Sequence, residues 1–272
     1  MIGRIKATLF SLTMVLITAA EAGVVPPIQV DNKPDVRIEV IPIDDAHRTA
    51  IPAPLRNPSF ALPPGSFILV NRTATPITAV DVRWNYTDSK GELKRSGITC
   101  DAYMFAPLDP IVEADNLSLI TPYGCTKQHL FARLATGEFI GGSPLVPQVG
   151  EPISVDPLAT MHVYLDSVIF QDGQILGPDK FQYYAQIQDR DLAVQKFVAE
   201  VTAGRSAGED MPTLLAHIRQ DAQSKSDTPT SKASSRRAYY AGLLQRSPNL
   251  DGSLGQLKAQ IRPPVFRHVG EQ

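Results

Sequence analysis

Ile77-Thr78-Ala79-Val80-Asp81-Val82-Arg83-Trp84-Asn85-Tyr86 is the stretch that decides how this chain is read. Val80, Val82, Trp84 and Tyr86 alternate with Ala79, Asp81, Arg83 and Asn85, so a strand built here has one apolar face and one mostly wet face. Asp88-Ser89-Lys90-Gly91 then offers a hairpin turn, and a more polar return strand is expected over residues 92–99.

The same period of two extends on both sides, from about residue 60 to residue 170. Phe67-Ile68-Leu69-Val70 is a short apolar run that ends in a turn at Asn71-Arg72-Thr73. Residues 117–120 and 128–134 read as short strands, and Gly141-Gly142-Ser143-Pro144 as a loop. Residues 161–170 form another strand, with a hairpin turn at Asp172-Gly173 and a brief partner at Ile175-Leu176.

At Gly177-Pro178-Asp179 the period changes. Asp179 is a good N-cap, and Phe181, Tyr184, Ile187, Val194, Val198 and Val201 recur at helical spacing, which predicts a helix over residues 179–204. A second helix is expected from about Asp210, with Met211, Leu214, Leu215 and Ile218 buried and Pro212 in its first turn. Residues 224–235 hold nothing large and apolar and read as a linker. Two short helices follow, over residues 235–245 and 253–262. Strands first and helices afterwards argue for a β-sandwich with a helical C-terminal extension, not an alternating α/β fold. Short strands with Pro- and Gly-rich connections fit an immunoglobulin-like sandwich.

The first residues read as an export signal. Arg4 and Lys6 precede an apolar stretch from Ala7 to Ala20, and Ala20-Glu21-Ala22 supplies the small-x-small cleavage pattern before Gly23. The stretch is 14 residues long, short of the ~20 a membrane-spanning helix needs. The chain therefore divides into a signal peptide (1–22), a Pro-rich extended segment (23–64), a β-sandwich domain (65–176), helices packed on the sandwich (177–223), a flexible linker (224–235) and a basic helical tail (236–272). The expected location is secreted or periplasmic, with no transmembrane span in the mature chain.

Nine of the 23 prolines lie between Pro26 and Pro64, where polyproline-like and edge-strand conformations are favoured because Pro donates no ladder hydrogen bond. The net charge of −2 hides an asymmetry. Residues 23–170 carry 16 acidic and 11 basic side chains, whereas residues 225–272 carry 3 and 8. The tail can fold back on the acidic body, contact an anionic partner, or simply be solvated. Cys100 and Cys125 are the only cysteines, and in an exported chain they are expected to pair; two buried free thiols are the alternative. In immunoglobulin domains the core Trp lies between the bridging cysteines, but Trp84 precedes both. The disulfide is accordingly expected to pin a local excursion and not the two sheets.

Two segments carry a resemblance. Val70-Asn71 and residues 79–88 followed by Gly91, together with Phe170-Gln171-Asp172-Gly173 and Gly177-Pro178-Asp179, resemble uncharacterised exported bacterial proteins with an Ig-like β-sandwich. The resemblance implies a fold and a compartment, and it supplies no catalytic residue.

Candidate chemistry is sparse. His47, His129, His162, His217 and His268 are widely separated, so no paired-histidine metal motif exists. Asp44, Asp45 and His47 form the densest ligand-like cluster, and a solvated turn explains them equally well. His162 and Asp166 share a strand face about 13 Å apart, too far to hydrogen-bond. Ser143 lacks the glycine two places on that a nucleophile elbow requires. Asp172 and Asp179 suit a turn and a cap better than a paired-carboxylate site. Asn71, Asn85 and Asn116 match the glycosylation acceptor pattern. No catalytic, cofactor or metal residue is assigned, and no nucleic-acid signature is present. The sequence leaves two readings: an exported non-catalytic envelope or interaction protein, contacting an envelope or extracellular protein or an anionic surface, and a secreted hydrolase whose site is assembled from distant residues.

Overall fold

A computed structural model describes residues 26–32, 35–56, 62–104, 109–131, 155–156, 158–224, 231–259 and 263–269. Residues 1–22, expected to be a signal peptide, Ser143 and residues 225–230 lie outside these. Among the described residues the chain forms ten strands in two sheets and four helices, which lie between the ninth and tenth strands. The larger sheet contains β1 (Ile28–Val30), β4 (Ile77–Thr87), β5 (Leu93–Asp101), β8 (Met161–Phe170), β9 (Gln174–Leu176) and β10 (Arg267–His268). Its order is β10-β9-β8-β4-β5, with β1 also pairing with β8. The smaller sheet has the order β2-β3-β6-β7, from β2 (Ile38–Pro42), β3 (Phe67–Asn71), β6 (Leu117–Thr121) and β7 (Gly124–Lys127). Pairing is antiparallel except for β1 with β8 and β10 with β9.

The alternation of β4 places Val80, Val82 and Trp84 in a core shared with Ile38, Val40, Phe67, Leu69 and Ile120 of the smaller sheet. Trp84 is fully buried, 6.3 Å from Phe67 between ring centroids, and its indole N–H donates to the Gly65 carbonyl at 2.9 Å. Such a contact satisfies the one polar atom of an otherwise apolar side chain. The smaller sheet is also covered on its outer side. Ile68, Val70 and Leu119 pack beneath Ile51, Leu55 and Phe131. Burial on both faces is why β3 reads as an unbroken apolar run and not as an alternation.

Cys100 and Cys125 stand at disulfide distance, with their Cα atoms 6.3 Å apart. This corrects the expectation of a local excursion. Cys100 ends β5 in the larger sheet and Cys125 lies on β7 in the smaller one, so the pair ties the two sheets together at one edge. A separation of 25 residues is short, yet the chain crosses between the sheets within it. Of the strand expected at residues 128–134, Gln128–Leu130 forms a 3-10 turn instead, and residues 132–134 lie outside the described residues. Pairing with β6 is made by β7, after a tight turn in which the Thr121 hydroxyl accepts from the Tyr123 and Gly124 N–H groups, and Phe131 is buried outside the sheet.

The four helices are α1 (Tyr183–Ser206), α2 (Met211–Ser224), α3 (Ser231–Gln245) and α4 (Leu250–Lys258). The expectation that residues 177–223 pack on the sandwich needs correcting. Only the first turns of α1 do so: Tyr183 and Ile187 cover Ala79, Ile169 and Ile175. The rest of α1 and all of α2 share a separate core with α3 and α4, through Phe197, Val201, Leu215, Ile218, Tyr240, Leu244 and Leu254. The helices on either side of residues 225–230 thus bury each other's apolar stripes. Arg237 of the tail binds Glu200 at 2.7 Å and Asp221 at 3.2 Å, and Asp251 of the tail binds Arg205 of α1 at 2.6 Å, so ion pairs of both senses join the tail to α1 and α2. Beyond α4 the chain returns to the larger sheet. Arg267 N–H donates to Gly173 O and Val269 N–H to Ile175 O, and Phe266 packs edge-on against Tyr103 and Tyr184. Among the described residues, no helix is long and apolar enough to cross a membrane.

Candidate functional site

The wet face of β4 points outward from the larger sheet. Its first part, at Ala79, lies under α1, while its second part, at Arg83 and Asn85, is left open. What divides the two is a bulge in β8. Asp81 pairs with Ser167 and Val82 with Leu165, leaving Asp166 as the extra residue. The bulge aims Asp166 at the chain entering α1. Its two carboxylate oxygens accept from the Lys180 and Phe181 N–H groups, each at 3.0 Å. Gly177, with φ of +98°, passes so close to this point that a Cβ would stand 2.6 Å from the Asp166 carbonyl oxygen. Only glycine fits there.

This arrangement overturns the expected helix start. Asp179 caps from outside the helix, its Oδ1 accepting from Tyr183 N–H at 2.8 Å, while Asp179 and Gln182 both adopt left-handed conformations (φ +42° and +51°). The first helical turn expected at residues 179–182 is replaced by a lead-in whose Lys180 and Phe181 N–H groups donate to the Asp166 carboxylate and whose Asp179 and Gln182 N–H groups donate to the Asp166 and Asp179 carbonyls. Phe181, expected on the buried stripe, is 51% exposed.

The lead-in lays Lys180 and Phe181 over the open part of the sheet. There they join Arg83, Asn85, Arg95 and Tyr164 around a cleft of about 480 Å³. Each partner holds the next. The Arg83 guanidinium lies 4.1 Å from the centre of the Phe181 ring and 2.7 Å from Asp81. Lys180 Nζ lies 5.2 Å from the centre of the Tyr164 ring. Such cation–ring contacts fix flexible side chains while leaving their donors available. Gly97 faces Arg83 across the β4–β5 pair, and a Cβ there would come within 2.5 Å of the guanidinium. Its bare backbone is the floor over which Arg83 lies.

Asp81 is fully buried beneath Arg83. Burial pushes its carboxyl up to about 6, Arg83 opposes the shift, and the neighbouring Asp166 and Asp179 add to it. One of its oxygens, Oδ1, has no hydrogen-bond donor among the described residues. Burial also raises Asp179, against the hydrogen bond from Tyr183 N–H. Farther along the same face Asp101 accepts from Tyr103 N–H at 2.7 Å, from the Tyr183 hydroxyl at 3.0 Å and from Arg190, which fastens α1 to the end of β5.

The residues singled out from the sequence do not converge. Asp44 caps a 3-10 turn, accepting from His47 N–H at 3.0 Å and contacting the His47 ring at 2.7 Å. Asp45 begins that same turn. His162 contacts Asp31 at 2.8 Å, not Asp166. Asp172 accepts from Gln174 in the hairpin turn. The Asn71 amide is buried and donates to Thr75 O and Glu113 O, so its nitrogen is already engaged. Among the described residues, no three His, Cys, Asp or Glu side chains gather as a metal site would require. The cleft residues, by contrast, went unremarked in the sequence apart from the outward placing of Arg83 and Asn85 and the placing of Phe181 on a helical stripe. They come from four separate segments, β4, β5, β8 and the lead-in to α1, and no spacing rule joins Arg95, Tyr164 and Lys180. Comparison with family models, curated proteins and solved structures gave no match.

Proposed function

We propose that this chain is an exported, non-catalytic interaction protein of the periplasm or extracellular space, related to the exported Ig-like family it resembles. In this reading the sandwich is an immunoglobulin-like scaffold. Two sheets around a buried Trp84, and a cysteine pair linking their edges, support it. Residues 1–22 are its signal peptide, removed before Gly23. The partner is an envelope or extracellular component that presents negative charge. The observation that carries this is the cleft on the larger sheet, which Arg83, Arg95 and Lys180 line, with the Asp81 carboxylate buried beneath Arg83. Cations held by rings and neighbouring strands are suited to contact and orientation.

The test is affinity capture from envelope extract with the mature chain and with an Arg95→Glu/Lys180→Glu variant. Capture of a component by the native chain that the variant loses supports the reading. Equal capture by both, or a secreted chain whose intact mass retains Met1, defeats it.

A further inference from the structure

We propose that the cleft between β4, β5 and the lead-in to α1 binds a phosphate monoester group. The inference deepens the reading above and rests on it in one respect, that the ligand is anionic. Three features of the cleft select the chemistry. The first is charge. Arg83, Arg95 and Lys180 line it, Asp81 neutralises one of them, and Arg95 and Lys180 have no carboxylate partner among the described residues. Asp166 and Asp179 lie nearby but do not line the cleft; both Asp166 oxygens accept from the Lys180 and Phe181 N–H groups, and Asp179 Oδ1 accepts from Tyr183 N–H. The excess of about two positive charges matches the ~1.5–2 negative charges of a phosphate monoester near pH 7 better than the single charge of a carboxylate.

The second feature is donor geometry. Arg83 faces Gly97, and Arg95 lies two residues along the same face of β5, opposite Asn85. Diagonal neighbours of this kind are about 7–8 Å apart at the backbone, so two long guanidinium side chains can converge on one tetrahedral group from different sides. The third is preorganisation. The Phe181 ring and the bare Gly97 floor hold Arg83 in place before any ligand arrives, which lowers the ordering cost of binding. At about 480 Å³ the cleft also accommodates a small body attached to the phosphate.

The experiment is an NMR titration of the purified chain with inorganic phosphate at constant ionic strength, followed by flotation with vesicles of phosphatidylcholine alone or mixed with phosphatidic acid. The expected result is saturable shifts of the Gly97 and Phe181 amides at millimolar phosphate. Binding should weaken roughly tenfold or more in Arg95→Gln/Lys180→Gln. Both substituted residues are exposed, so the variant should fold, and far-UV circular dichroism checks this. Gly97→Val tests the same point independently, by displacing Arg83 and leaving every cation in the chain. Flotation only with phosphatidic acid identifies a lipid headgroup as the source, and phosphate binding without flotation identifies a soluble phosphoester. Absence of saturable shifts, or equal affinity in the folded double variant, overturns the proposal. Because the titration needs neither export nor a captured partner, its failure is distinct from failure of the broader reading.

Discussion

The outer faces of the two sheets are built from similar strands and end differently. On the smaller sheet, Ile68, Val70 and Leu119 are covered by Phe131, Ile51 and Leu55, and the face is closed. On the larger sheet, Ala79 and Ile169 are covered by α1, but two residues along β4 a buried carboxylate and then an arginine take over, and the face opens. The difference shows where the chain invests apolar burial and where it gives it up. A face meant only for stability is apolar throughout, whereas the open half of the larger sheet keeps charges that must be held by neighbours.

The contrast can be broken first on the closed side. Phe131→Ala should destabilise the protein by about 3–5 kcal/mol, because the ring is 1% exposed and its loss leaves a cavity against the sheet; urea denaturation measures it. Next comes the link shared by both sheets. Cys100→Ser/Cys125→Ser should cost about 3 kcal/mol through the freed loop, and thermal melts with and without reductant should agree on the size.

Asp81 sharpens the comparison from the open side, with a sign that depends on pH. Its carboxyl titrates at about 6 in the folded chain against 3.8 for the free group, so the folded state binds the proton more tightly. The Asp81 contribution to stability is therefore greatest below pH 3.8 and falls as pH rises towards 6, by up to about 3 kcal/mol for a fully buried group. Asp81→Asn should remove most of that penalty, raising the melting temperature at pH 7.5 and leaving it nearly unchanged at pH 3.5. A melting curve for the variant that parallels the native one at both pH values would show that this carboxylate is not strained. The smallest effect belongs to Phe181→Ala. With half its surface exposed, the ring should contribute under about 1 kcal/mol to stability. Its removal should nonetheless release Arg83, visible as broadened side-chain guanidinium signals.

Much of this architecture is legible in the sequence because local physics dominates it. The alternation in β4 and β8, the turn at Asp88-Ser89-Lys90-Gly91 and the change of period after Gly177 each depend on a few adjacent residues. What escapes is whatever depends on distant partners. The start of α1 is misplaced because Asp166, thirteen residues before Asp179, takes the N–H groups of Lys180 and Phe181. The cysteines look local because sequence separation does not register a crossing between sheets. Within the cleft, Arg83 reads as an ordinary wet-face residue, and neither the Phe181 ring above it nor the Gly97 floor below it lies within reach of any periodicity.

The parallel pairing of β10 with β9 recasts the helical region. Neighbouring parallel strands cannot be joined by a tight turn and need a crossover of a dozen or more residues, commonly one helix. Here the segment between Leu176 and Arg267 serves as that crossover, with four helices and a core of its own. To the sheet, the helical unit is a single connection whose two ends emerge side by side. Beyond the first turns of α1, which pack on the sheet, helices can lengthen, shorten or be exchanged within it, and the strands register the change only through the spacing of those two ends.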